Sequence, residues 1–351
     1  SGLSENMEAA LAVIEDKIAN VKGDDAVLAN YKGNIFRQRV NSKTSQRSCY
    51  SMLTQYINYG KDVNRNVLSN AEIQALTSDQ LLAEIKNASK YEQMITYYGP
   101  MEMADVIAVV EKHHNIPEKL EKYPKQENLK LQVVNDPKVV IAPYNAKQIY
   151  MSQYSNTGET FNPAENRGAI IRMYNEYFGG GMNSIVFQEM REARGLAYTA
   201  NARYVTPGKK GETYNFNTFI ATQNDKMMDA VNAFDEIINQ MPQSEAAFDI
   251  AKENIIASHR TQRQLGSDVL YYYQNLQKQG YDCTYDPRKD LYEKVQQFTL
   301  QDVVDFQNKV IKDRKYVIGI LGSEKDLDMK ALNPAKYGKV ERVSLEDIFG
   351  Y

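Results

Sequence analysis

The sequence has no tryptophan and few residues that carry metal or redox chemistry. Its two cysteines, Cys49 and Cys283, stand far apart and outside any C-x-x-C pattern, which excludes a disulfide framework and a thiolate metal site. The three histidines are His113, His114 and His259. They are too scattered to supply three ordered ligands, and Pro117 stops any helix that would align the first two with further ligands. The residues predict no metal site in this chain.

The chain also lacks an excess of either charge and lacks a long apolar run. The net charge of −3 comes from 42 Lys and Arg against 45 Asp and Glu, spread along the sequence, so neither nucleic acid nor an anionic membrane is indicated as partner. No apolar run approaches the ~20 residues of a membrane span. Neither a phosphate loop nor a dinucleotide fingerprint is present. With 351 residues, 42% of them hydrophobic, the chain is long enough for two cores.

An internal repeat indicates two domains. A shift of 220 residues aligns several helix-face and helix-ending positions, among them Met7 with Met227, Ile18 with Ile238, Lys32 with Lys252 and Gly60 with Gly280. Residue 1 aligns with residue 221, so the front of the second copy has no counterpart in the first. We interpret residues 1–115 as the C-terminal half of a truncated domain and 129–351 as a complete domain. The charged stretch 116–128 between them, with two prolines, reads as a linker.

The hydrophobic periodicity predicts an α+β fold with helices packed on a mainly antiparallel sheet. In the first copy it predicts helices at 5–20 and from Asp24 through Leu53, a helix opened by the capping box of Thr77 and Gln80, and a strand at 91–99. In the second copy the predicted strands are 139–142, 148–154, 197–205, 212–222 and 315–321. The predicted helices of that copy begin after Asn162, cover about 224–276, and run from 299 to 311.

The stretch 178–198, which we call the glycine corner, is the most unusual part of the sequence. Its three consecutive glycines, Gly179, Gly180 and Gly181, mark a sharp backbone change. Asn183 or Ser184 can cap the helix that follows, and Gly195 lies where a left-handed residue ends it. Arg191 falls in the last turn, and Tyr198 opens a strand. Arg191 could simply pair with a carboxylate while Tyr198 packs in the core; the sequence pattern alone leaves that alternative open.

The residues GGGMNSIVFQEMREARGLAY closely resemble a signature of the pitrilysin/insulinase family of zinc peptidases. That signature follows a glycine-rich turn in the C-terminal domains and reads [RI]-[LV]-F-Q-E-x-R-E-x-R-G-L-A-Y. The resemblance implies tandem family domains. It also implies that Arg191 and Tyr198, seven positions apart, reach across to the substrate held at the zinc. The tail VSLEDIFGY is similar to bacterial members as well, so the likeness extends to the end of the chain.

The family binds zinc through H-x-x-E-H and a distant Glu, and this sequence has neither. The resemblance therefore implies that zinc lies outside this chain, in an N-terminal half of the full polypeptide or in a partner subunit. It implies a C-terminal substrate-binding half of a zinc-dependent endopeptidase that degrades peptides or small unfolded proteins in an enclosed chamber. We expect this chain alone to be inactive. The alternative is a non-catalytic homologue that acts as an assembly subunit.

The expected partners are a peptide substrate and the zinc-bearing half or subunit. The residues define neither the substrate nor the cleavage rule nor the compartment. Relatives with both halves on one chain are often exported, which gives the periplasm as a preference from the resemblance alone.

Overall fold

The computed structural model describes residues 2–115, 117–124 and 127–351. The part before the sheet is helical, and its helices are α1 Met7–Asn20, α2 Asp25–Thr44, α3 Gln46–Tyr59, α4 Asn70–Ala75, α5 Ser78–Ala88 and α6 Met103–His113. The predicted single helix from Asp24 through Leu53 is wrong, because the chain leaves the helical conformation at Ser45. The side chain of Ser45 then caps α3.

The later part alternates strands and helices. Its strands are β1 Lys138–Pro143, β2 Gln148–Ser155, β3 Ala197–Val205, β4 Asn215–Gln223, β5 Val317–Gly322 and β6 Lys339–Arg342. Its helices are α7 Gly168–Phe178, α8 Ile185–Phe187, α9 Met227–Asn239, α10 Glu245–Thr261, α11 Asp268–Gln279, α12 Arg288–Gln297, α13 Leu300–Phe306, α14 Pro334–Tyr337 and α15 Leu345–Phe349. Short π-helices continue α8 over Gln188–Ala193 and α13 over Gln307–Ile311.

In the described residues the six strands form one sheet in the order β3-β4-β2-β5-β1-β6. Three neighbouring pairs, β3/β4, β4/β2 and β2/β5, are antiparallel, and the pairs of β1 with β5 and with β6 are parallel. The fold is therefore α+β with helices on a mixed sheet in which antiparallel pairs are the majority. This confirms the predicted class.

Helices cover both faces of the sheet. On one face the main core joins Met151 and Ile220 of the sheet to residues such as Tyr174 of α7 and Phe234 of α9. On the other face α3, from the helical first part, packs fully buried side chains such as Leu53 against the sheet. The first part of the chain is thus anchored on the sheet of the second part.

Among the described residues, the rest of the first part has no comparable core. In the part of the chain that the structure describes, α1, α2 and α5 contain no buried side chain. The helices α1 to α5 nevertheless follow one another in the order of α9 to α13, beginning at residues 7, 25, 46, 70 and 78 against 227, 245, 268, 288 and 300. The first part therefore has the helices of the later part without a sheet of its own among the described residues.

The strand predicted at 91–99 is wrong. Among the described residues this segment makes only an isolated parallel bridge between Tyr91 and Glu121. In the later part its counterpart, β5, pairs with β1 and β2. The described residues of the first part contain no strand with which the segment 91–99 could pair in this way. Glu121 belongs to the predicted linker, of which residues 116, 125 and 126 lie outside the described residues. Among the helices described, none is both long and apolar enough to cross a bilayer.

Candidate functional site

The glycine corner turns where α7 meets the edge strand β3. A Cβ added at Gly179 would stand 2.0 Å from the backbone oxygen of Ala202 in β3, and one at Gly180 would stand 2.8 Å from the carbonyl oxygen of Asn175. Gly181 faces open space. Two of the three glycines are therefore required by close backbone approach, and this approach seats the end of α7 against β3.

The helix after the corner begins as predicted and then widens. Ser184 is its N-cap, since its Oγ accepts a hydrogen bond from the Phe187 amide at 3.4 Å. Val186 and Met190 are fully buried, which fixes the helix against the core. From Gln188 to Ala193 the chain forms a π-helix, a rare form that often occurs at functional sites. Gly195 follows with φ +58°, the left-handed residue that the sequence predicts.

Tyr198 sits at a second irregularity. The strand register pairs Ala197 with Thr222 and Thr199 with Ala221, so Tyr198 is the extra residue of a β-bulge in β3. Its side chain is 75% exposed, which excludes packing in the core. A bulge re-aims the side chain it carries, and here it turns the phenol outward at the edge of the sheet.

The structure brings Arg191 and Tyr198 together. The guanidinium carbon of Arg191 lies 4.6 Å from the centre of the Tyr198 ring and 5.0 Å from the centre of the Phe187 ring. Its Nε is 3.4 Å from Glu192, a half-exposed neighbour on the same π-helix. Cation–π contacts do not use up the N–H donors of a guanidinium, so those that do not face Glu192 can donate to a ligand.

Phe187 is a residue of this site that sequence reasoning missed. The sequence contained a signal for it, since Phe187 and Arg191 are four residues apart on one helix and such side chains face each other.

Arg194 connects the π-helix to a neighbouring helix. Its guanidinium contacts Glu236 of α9 at 2.9 Å and Glu189 at 3.3 Å. The hydrogen bond and charge of Arg194 lower the pKa of the Glu236 carboxyl. Arg194 therefore holds the π-helix on α9, whereas the ion pair of Arg191 stays within the π-helix.

The described residues do not fit a zinc ligand set. His113 and His114 contact two different carboxylates of α1, Glu8 at 2.9 Å and Glu15 at 2.7 Å. His259 lies near the end of α10 against the Tyr292 ring. Within residues 2–115, 117–124 and 127–351, no group of three His, Cys, Asp or Glu side chains is placed to hold a metal ion. No chemical step on this chain is therefore assigned to a metal.

The comparison with protein families identifies part of this chain. Residues 95–255 match the family described as the peptidase M16 inactive domain, and this match includes the glycine corner. A comparison with curated proteins finds no match.

Solved structures share the fold over nearly the whole chain. The peptidase M16 inactive domain from Pseudomonas fluorescens superposes with a TM-score of 0.64 at 18% identity, covering 91% of this chain and 76% of that one. The ferredoxin protease FusC, solved with Arabidopsis ferredoxin, gives 0.66 at 14% identity, covering 91% of this chain and 34% of that one. Pitrilysin gives 0.64 at 13% identity, covering 99% and 36%. This chain thus spans about a third of the last two. Over residues 95–255 the chain therefore matches the peptidase M16 inactive domain, and over nearly its whole length it shares the fold of solved M16 structures, pitrilysin among them.

Proposed function

We propose that this chain is the substrate-binding half of a zinc-dependent endopeptidase that degrades peptides or small unfolded proteins inside a closed chamber. The observation that carries the proposal is the exposed stack of Arg191 on Tyr198. Both residues stand on irregular backbone, a π-helix and a β-bulge. Irregular segments of this kind cost stability and are concentrated at functional sites.

The chemistry of the pair suits a peptide carbonyl. Arg191 offers charge-assisted N–H donors, and Tyr198 offers a phenolic O–H donor directed to solvent. A carbonyl oxygen that gains negative charge during attack is stabilised by donors that are already in position. Neither side chain can replace the zinc ligands or the carboxylate base of the reaction. In this proposal Arg191 and Tyr198 bind and polarise the substrate, while the zinc and the base belong to an N-terminal half or a partner subunit.

The proposal extends to the domain boundaries. Residues 1–115 would be the C-terminal half of one family domain, 116–128 a linker and 129–351 a complete domain. The support is the shared helix order of α1–α5 and α9–α13, together with the lack of buried side chains in α1, α2 and α5 in the described structure. The missing strands would come from polypeptide outside this sequence and would cover exposed apolar residues of α1 such as Val13 and Ile14.

The relatives support a role in binding protein substrates. The ferredoxin protease was solved in complex with ferredoxin, and its chain is about three times the length that this chain covers. Pitrilysin is similarly longer. A larger enzyme, of which this chain supplies one portion, is consistent with both lengths.

An alternative function is a non-catalytic assembly subunit. The match to the inactive-domain model and the exposed apolar face of the first part both favour it, because such a face needs a protein partner. Assembly alone gives no reason for Arg191 and Tyr198 to stack at the surface on two irregular segments. We therefore prefer the peptidase half.

Reconstitution tests this preference. The chain and the zinc-bearing half, on one polypeptide or as two subunits, are assayed separately and together with a quenched fluorescent peptide. Cleavage is expected only when both are present. Two results would contradict the proposal: cleavage by this chain alone that chelation abolishes, or a zinc-bearing half that is equally active without it.

A further inference from the structure

A second concave site lies away from the Arg191–Tyr198 stack, where the end of α10 faces the start of α12. It is a surface pocket of about 930 Å³, and its permanently charged basic lining residues are Arg260, Arg263, Arg288 and Lys289. Its acidic lining residues are Asp286 and Glu293. We call this site the basic pocket. Its volume is at the upper end of the range for ligand sites, roughly 300–1,000 Å³.

Asp286, one of the two carboxylates, is neutralised by Arg288. Asp286 is held by Arg288, whose Nε lies 2.9 Å from each carboxylate oxygen, and it also accepts from the Tyr272 hydroxyl at 3.0 Å. These hydrogen bonds, first that from Arg288, lower the pKa of Asp286 to about 2. Among the ion pairs of the described residues, Arg288 is engaged in this way, whereas Arg260, Arg263 and Lys289 are not in any. Arg260, Arg263 and Lys289 then stand against the single carboxylate of Glu293, which leaves a surplus of positive charge for a ligand.

His259 is a further lining residue. Burial lowers the pKa of His259, and the nearby charges of Arg172 and Arg288 lower it further. The pocket also offers apolar contact, since Leu265 is 68% exposed on the loop after α10. The Tyr292 hydroxyl accepts a hydrogen bond from Arg260 at 3.3 Å. Cations spaced along an open pocket with apolar patches match a chain of carboxylates better than one small anion.

The basic pocket is next to a cleft that leads to the glycine corner. This cleft, of about 600 Å³, is lined by Leu291, the neighbour of Tyr292 on α12, and by Arg172, Arg203, Gly179 and Gly180. A polypeptide seated in the basic pocket could therefore continue along α7 toward the corner. Two more arginines line this cleft, Arg203 and Arg172, of which Arg172 is paired with Glu176 at 3.6 Å.

We propose that the basic pocket binds an acidic stretch of polypeptide, with its carboxylates paired to Arg260, Arg263 and Lys289. The basic pocket would bind the carboxylates of the polypeptide, and the scissile bond would lie elsewhere. It is separate from the role proposed for Arg191 and Tyr198 and can be tested without catalysis.

The experiment measures binding of a fluorescein-labelled glutamate-rich peptide to the 351-residue chain by anisotropy. The test variant is Arg260→Ala/Arg263→Ala/Lys289→Ala, which leaves the Arg288–Asp286 pair intact. The control is Lys22→Ala/Lys130→Ala/Lys325→Ala, which removes the same charge from exposed positions elsewhere. Circular dichroism checks that both variants are folded. We expect the Kd of the test variant to rise about tenfold or more, since three ion pairs are lost, and that of the control to change little.

Further binding measurements identify the class of ligand. Binding of the acidic peptide should weaken with added salt, because the ion pairs are exposed. A lysine-rich peptide of equal length should not bind. Inorganic phosphate and a single-stranded oligonucleotide are used as competitors, and displacement by either at concentrations similar to the acidic peptide would overturn the assignment to carboxylate-bearing polypeptide. Equal Kd values for the test and control variants, or no binding of the acidic peptide, would overturn the site.

Discussion

The side chain of Arg191 illustrates how single residues create the candidate site. Its guanidinium contacts two aromatic rings, and such contacts stabilise an exposed cation by roughly 0.5–1 kcal/mol each. Free in solvent, an arginine side chain would lose considerable rotamer entropy on binding a substrate. In contact with Phe187 and Tyr198, Arg191 has already lost part of it. The two rings therefore make the donors of Arg191 available in one orientation.

Phe187 is expected to position Arg191 and not to touch the substrate itself. Replacing Phe187 by Leu removes one wall of the stack, and we expect kcat/KM of the complete enzyme to fall about two- to five-fold. Phe187→Tyr keeps the aromatic wall and should restore most of the loss. Steady-state kinetics on both variants make the comparison, with stability measured in parallel. Equal kinetics for Leu and Tyr at this position would show that the ring has no role.

Two neighbouring glycines provide a matched pair for stability. Gly179→Ala places a methyl group 2.0 Å from the Ala202 oxygen and should destabilise the fold by about 1–3 kcal/mol. Gly181→Ala meets open space and should change the free energy of unfolding by less than about 0.5 kcal/mol. Denaturant unfolding measures both. Equal stability of the two variants would mean that the backbones of the corner and β3 are not in close contact.

The sequence was informative about some of these residues and silent about others. The glycine run, the Ser184 cap and Gly195 follow from local backbone chemistry, so the pattern predicts them. The contact of Arg191 with Tyr198 does not follow from the sequence pattern, because a π-helix and a β-bulge each shift the register by one residue. Regular periodicity therefore cannot tell which side chains meet, and Tyr198 could have been placed in the core.

At the scale of elements, helices with strong end signals are the best predicted. The capping box of Thr77 and Gln80 forms as predicted, with amide–side-chain bonds of 2.9 and 3.3 Å. The helix predicted after Asn162 is less regular. Asn162 caps only a short turn, Asn166 has φ 47°, and α7 begins at Gly168. Local signals therefore determine where a helix can begin, and tertiary packing determines where the long helix does begin.

Strands depend on partners, which explains the error at 91–99. Its counterpart β5 has β1 and β2 on either side and is buried along its whole length. An isolated segment with the same pattern has no ladder to join, so propensity alone does not make a strand.

The contact of α6 with α1 should depend on pH. Hydrogen bonds from His113 and Lys112 lower the pKa of Glu8 from 4.5 to about 2. A carboxyl with a depressed pKa in the folded state contributes stability that is present above pH 4.5 and lost as the pH falls toward about 2. The lost contribution is that of the Glu8 contacts between the two helices.

Glu8→Gln should therefore lower the unfolding midpoint above pH 4.5, and its difference from the parent chain should shrink as the pH approaches 2. Glu111→Gln, on the exposed side of α6, is the control and should show no such trend. Thermal unfolding followed by circular dichroism gives the midpoints. A difference that stays constant across this pH range would contradict the assignment to Glu8.

At the scale of the whole molecule, the two parts are joined in a way that the sequence does not show. The repeat predicts two domains joined by a linker and does not show that α3 of the first part buries Cys49 and Leu53 in the sheet of the second. A pattern of apolar residues on a helix shows that the helix has a partner but not which partner it has. The same limit applies to the exposed faces of α1 and α2, whose partner we propose to be polypeptide outside this sequence.

The central claim is that Arg191 and Tyr198 serve catalysis by holding the substrate carbonyl. The most direct measurement is kcat/KM and kcat of the complete enzyme carrying Arg191→Ala, Tyr198→Phe and both together, with zinc content and folding measured in each. Arg194→Ala serves as the control, since that arginine ties the π-helix to α9 and should affect stability first. Each active-site variant should lose about 2.7–4 kcal/mol of barrier lowering, roughly a hundred- to thousand-fold in rate, with zinc unchanged. Full activity in the folded double variant would contradict the account.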